Sequence, residues 1–213
     1  MDFLLQTPTV HYCEMALNAI IARPWYALSN IAFLIVGSVI LRQGGQHSKA
    51  FGGLALLIGT LSFVYDSTFT YLSQLFDLSG MLLLIGYLLY LNLSHVVPRR
   101  LLKQLLLVGF VVALGLIILF KGYAGNIIFG TAVLGYVGSE LYLIHTKKHS
   151  RPALWLLAFG LFVIGVAFWL SDTTQLYCAD IGLLNGRAIF HYTNAASIYL
   201  LFRFYTQHTS QVD

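Results

Sequence analysis

The sequence predicts an all-α, polytopic membrane protein with seven transmembrane helices, its N-terminus outside and its C-terminus in the cytoplasm. Three observations carry that prediction. The 213 residues are 58% hydrophobic and 9% charged, with a mean hydropathy of +0.78, whereas a soluble domain carries about 25% charged residues. Apolar runs long enough to cross a bilayer core, about 20 residues each, recur along the whole chain. The basic residues gather in alternate short loops between those runs. The formal net charge of +4 is spread over these loops, which gives no footing for nucleic-acid binding.

Seven segments fit a membrane span, at about 25–41, 50–69, 76–97, 104–120, 124–146, 152–171 and 184–205. The first opens after Arg23 and Pro24 and closes at the loop RQGGQHSK, before the second begins. The third ends at VVPRRLLK, the fourth and fifth are parted only by KGYAG, and KKHSRP precedes the sixth. Pro152 fits the first helical position of the sixth span, where a missing N–H costs nothing. No linker, repeat or low-complexity stretch divides residues 1–213, so the chain reads as one domain. Aromatic residues are plentiful, with 15 Phe and 13 Tyr, as expected for lipid contact and interfacial anchoring.

Charge asymmetry supplies the orientation. Loops one, three and five hold Arg42, Lys49, Arg99, Arg100, Lys103, Lys147, Lys148 and Arg151, while loops two, four and six hold only Lys121. Basic loops face the cytoplasm. The N-terminal stretch MDFLLQTPTVHYCE has neither the basic start nor the long apolar run of a signal peptide. The expected location is an integral, multi-pass one, taken here as a bacterial plasma membrane.

Five polar or ionisable residues fall inside the spans and near one face of the membrane: Ser62, Asp66, Asp77, Arg187 and His191. An ionisable group in hydrocarbon costs at least about 2–3 kcal/mol, so such groups face a bundle interior, find partners and mark function. Ser62 and Asp66 are four residues apart, as are Arg187 and His191, which puts each pair on one helix face. Asp77 begins the third span, Asp172 ends the sixth on the same side, and Glu14 and Arg23 precede the first. Cys13 and Cys178 both lie on the outer side, where an oxidising compartment allows a disulfide between them. Asn92 begins an Asn-Leu-Ser sequon, but it sits in a span toward the cytoplasm. Glu140 lies off the cluster and suits a snorkelling acid or a partner for Lys147.

Tyr12-Cys13-Glu14, PWYALSNIAF, SFVYDSTFTYLSQLFD, WLSDTTQLYC and RAIFHYTNAASIYL together resemble, in order and spacing, the motifs of the alkaline ceramidase family of seven-helix membrane hydrolases. The resemblance implies zinc-dependent cleavage of a lipid amide. Three histidines would hold the metal, and water would take its open position. Ser62 and Asp77 match the serine and aspartate that handle the water and the oxyanion. The metal trio, however, corresponds to Asp66, Arg187 and His191. Aspartate can ligate zinc, but a guanidinium has no lone pair to give. His11 is a further outer-side histidine; His95 and His145 lie near the other membrane face. The family's outer calcium-binding residues correspond to Glu14, with Arg23 and Tyr26 in place of an acid and an amide.

The double change suggests an Asp66–Arg187 ion pair in place of the dication, with Asp77 or His191 as second partner. Arg187 also suits a lipid phosphate or carboxylate. Three readings remain open: a lipid amidase with an altered metal site or no metal, a non-catalytic relative that binds a ceramide-like lipid, and a transporter or proton-handling protein.

Overall fold

A computed structural model describes residues 4–146, 152–176, 178 and 182–209. The described chain is all-α. Its helices are α1 (Pro24–Ser29), α2 (Ile31–Gln43), α3 (Ser48–Thr68), α4 (Tyr71–Leu93), α5 (Arg99–Phe120), α6 (Ala124–His145), α7 (Ala153–Thr173) and α8 (Gly186–Thr209), with a single 3₁₀ turn at Gly182–Leu184. Pro24 stands in the first turn of α1, where its fixed φ suits helix entry. Pro152 is the N-cap of α7 rather than its first helical residue. Gly44 and Gly45, both at positive φ, turn the chain out of α2.

Six stretches among the described residues are long and apolar enough to cross a membrane: Pro24–Gln43, Ser48–Thr68, Tyr71–Leu93, Arg99–Phe120, Ala124–His145 and Ala153–Thr173. The helix α8 is long enough but is not among them. Arg187, His191, Asn194, Arg203 and Gln207 dilute its apolar character. Two helix starts differ from expectation. The α4 helix begins at Tyr71, so Asp77 lies about two turns inside it rather than at its start. The α5 helix begins at Arg99, which draws Arg99, Arg100 and Lys103 out of the loop and into its first turns.

The described chain forms two compact units. One contains Met1–Asp77 and Arg151–Asp213, the other Leu78–Ser150. In the first, α2 packs on α3 and α7 on α8, while α8 also meets α1, α2 and α3. Small residues allow the close approaches. A Cβ on Gly59 would meet the Phe33 side chain at 2.8 Å, and one on Gly186 the Phe168 carbonyl oxygen at 2.6 Å. Glycine at these points lets neighbouring backbones come together. In the second unit α5 packs on α6. Asn92 is buried there and donates to Ser139 Oγ at 2.9 Å. Glu140 is fully buried, which replaces the snorkelling expectation; Lys147, its suggested partner, lies outside the described residues.

Candidate functional site

All five polar or ionisable residues singled out in the sequence belong to the first unit, and all are buried. The α3 helix contributes Ser62 and Asp66 one turn apart on one face. The first turns of α4 bring Asp77, and the first turns of α8 bring Arg187 and His191.

Arg187 is the hub of the cluster. Its Nε donates to Asp66 Oδ1 at 2.9 Å, its Nη2 lies 3.6 Å from Asp77 Oδ2, and its Nη1 donates to Tyr12 Oη at 2.7 Å. One planar cation thus joins α3, α4, α8 and the N-terminal segment, a use that matches the rigid fork of a guanidinium. The second Asp66 oxygen accepts from Asn30 Nδ2 at 3.0 Å. Each oxygen of Asp66 therefore accepts one hydrogen bond. Ser62 Oγ donates to Asp77 Oδ1. The second carboxylate partner of Arg187 is Asp77.

His191 is held separately. Its Nδ1 lies 2.6 Å from Ser29 Oγ, and the Ser29 hydroxyl donates to the Tyr26 carbonyl at 2.7 Å. A hydroxyl has one proton to give. With that proton on the carbonyl, Nδ1–H of His191 is the donor to Ser29, and Nε2 carries the lone pair. That buried Nε2 has no hydrogen-bond partner.

The N-terminal segment closes this end of the unit through several ties. Both oxygens of Glu14 accept backbone N–H groups at the start of α1, from Trp25 and Tyr26, each at 3.0 Å. Tyr26 Oη donates to Asp172, 2.7 Å from Oδ2, and Cys13 N donates to Asp172 Oδ1 at 3.2 Å. Cys13 and Cys178 are joined by a disulfide. Arg23 is buried, with its guanidinium 3.3 Å from the Phe69 ring centroid and 4.6 Å from that of Tyr12. Its Nε and Nη1 have no hydrogen-bond partner, and the ring faces of Phe69 and Tyr12 contribute to its stabilisation. Burial lowers the Arg23 pKa from its ordinary value, with repulsion from Arg187 adding to the effect. Burial raises the Glu14 carboxyl, against the two backbone bonds that favour its charged form. His11, one residue from the inward-turned Tyr12, is exposed.

A family model described as Ceramidase matches residues 5–211, nearly the whole chain. The chain belongs to the ceramidase family. No curated protein sequence matches it. The zinc that the ceramidase resemblance implies would draw on the residues at the three positions of the family trio. Of those three, Arg187 offers only donors, each Asp66 oxygen already accepts one hydrogen bond, and His191 Nε2 has no hydrogen-bond partner. Among the described residues, no group of three or more His, Cys, Asp or Glu side chains is arranged to hold a metal ion.

Three partners in this ceramidase-family cluster were not evident as such in the sequence: Tyr12, Ser29 and Asn30. Ser29 and Asn30 are adjacent polar residues within the first span. That pairing is the signal that points to them, since neutral polar side chains in a span usually bond across to another helix.

Proposed function

We propose that this ceramidase-family membrane protein binds the amide region of a sphingolipid-type lipid and holds its site together without zinc. A guanidinium bridging two carboxylates takes the part of the metal. The observation that carries the reading is the Asp66–Arg187–Asp77 arrangement, with Arg187 and Asp66 only 3% and 0% exposed. Buried in this way, the cation balances the carboxylates that a dication would otherwise balance. In this reading α8 is the seventh span, its polar first turns facing the bundle interior. The N-terminus lies outside and the C-terminus in the cytoplasm, following the basic loops.

The Ser62 hydroxyl bonded to Asp77 favours a second reading, an amidase working without the family's metal. Asp77 would there accept a proton from an attacking water or hydroxyl, within hydrogen-bond reach as a general base requires. One experiment separates the two. The purified protein in lipid nanodiscs is given an N-acyl sphingoid lipid with a fluorescent acyl chain, and both binding and fatty-acid release are followed. Binding without release supports the first reading. Release that Asp77→Asn abolishes supports the second. Neither binding nor release refutes both.

A further inference from the structure

Residues 15–22 read MALNAIIA, an uncharged run in which Asn18 is the only polar side chain. The run lies outside every stretch long and apolar enough to cross a membrane. Ala22 at its end is buried, but the larger aliphatic groups before it stay out of the core: Met15 is 82% exposed and Ile20 98%, with Leu17 also exposed. The backbone fixes this outward display. Leu17 N donates to Ala22 O at 2.7 Å and closes a turn, while Ala22 N donates to Ser67 O and Arg23 N to Asp66 O, binding the turn to the end of α3. The Glu14 carboxylate and the Cys13–Cys178 disulfide hold its other side.

The apolar display is continuous with a face that reads as lipid-facing. Trp25 follows the turn and is itself exposed, and the exposed stripe runs on along α1 and α2 through Leu28, Ile31 and Ile35. On the other side, Gly182 packs against Trp25, where a Cβ would meet the indole at 3.6 Å. The next two residues, Leu183 and Leu184, are exposed as well. Exposed aliphatic groups on both sides of an exposed tryptophan, at the end of a lipid-facing stripe, have the composition of an interfacial element.

We propose that Met15, Leu17 and Ile20, with Trp25, Leu183 and Leu184, form a foot that inserts into the boundary between lipid headgroups and acyl chains at this end of the protein. Its partner is the lipid surface itself. The foot also places the closed end of the polar cluster against the layer in which lipid headgroups lie, because the same turn is hydrogen-bonded to Ser67 and Asp66.

The test uses the full chain in liposomes. Among the described residues there is no free cysteine, so a single introduced thiol can be spin-labelled. Ile20→Cys and Met15→Cys are labelled in turn, with Gln46→Cys in the polar loop after α2 as the aqueous reference. Because Ile20 and Met15 are among the most exposed side chains, neither change removes packing. The expected result is that both labels collide more with molecular oxygen than with a water-soluble nickel chelate, the reverse of the label at Gln46. Labels at Ile20 and Met15 as open to the chelate as the one at Gln46 would overturn the proposal. Labels immobilised and shielded from both reagents would overturn it too, by showing that another polypeptide covers the turn.

Discussion

Replacing Arg187 with methionine should destabilise this protein far more than the side chain's size suggests. The change removes a charged hydrogen bond to Asp66 at 2.9 Å, a contact with Asp77 at 3.6 Å and the donor that satisfies Tyr12. It leaves Asp66 fully buried with Asn30 as its remaining partner. Hydrogen bonds to charged groups contribute about 1.5–3 kcal/mol each. Two such contacts imply a loss of about 3–6 kcal/mol, which overlaps the range of about 3–5 kcal/mol for breaking a buried pair from one side. Replacing both members, as Asp66→Leu with Arg187→Met, removes the stranded charge. The double variant should therefore be more stable than Arg187→Met alone, with a coupling of about 2–3 kcal/mol. Reversible unfolding in mixed micelles, followed by far-ultraviolet circular dichroism, measures all four members of the cycle. Penalties that simply add, or a double variant no better than the worse single one, would refute the reasoning.

Three other outcomes follow from the same geometry. Glu14→Ala, which frees the Trp25 and Tyr26 N–H groups at the start of α1, should cost about 1–2 kcal/mol in the same unfolding assay. Cys178→Ser opens the disulfide to Cys13, a link across 165 residues; it should cost about 2–5 kcal/mol and remove any sensitivity of the melting temperature to reductant. His47, in the loop before α3, has its pKa lowered by burial, so the unfolded chain binds more protons than the folded one between the lowered value and about 6.5. Stability should rise with pH through that window, and His47→Asn should flatten the rise.

Six of the seven expected spans and the polar cluster are legible in the sequence for one physical reason. Charge in hydrocarbon is rare, so Asp66, Asp77 and Arg187 stand out against apolar neighbours, and a four-residue spacing places Ser62 with Asp66 on one face. The cluster's neutral members were harder to read. Asn30 and Ser29 are tolerated in any span, and only their cross-helix bonds to Asp66 and His191 give them a part in the site. The path of the N-terminal segment was illegible for a different reason. Tyr12 reaches Arg187 across 175 residues of sequence, and Cys13 reaches Asp172 across 159, contacts that no local periodicity encodes. The early start of α4 went unread because Tyr71–Leu75 carries Ser73 and Gln74, which look like loop. In the structure Ser73 exchanges hydrogen bonds with Thr70 at the helix start, and Gln74 bonds Thr9. The polar character of that turn thus serves its own capping and its attachment to the N-terminal segment.

We propose that an arginine-centred ion pair stands where the ceramidase resemblance implies zinc. It is tested most directly by metal content, measured by mass spectrometry on protein purified in detergent without chelator. The unmutated chain is compared with an Asp66→His, Arg187→His double variant. The account predicts no stoichiometric zinc in the unmutated protein and a gain of zinc in the double variant, whose two new imidazoles would join His191. Near-stoichiometric zinc in the unmutated protein would contradict it.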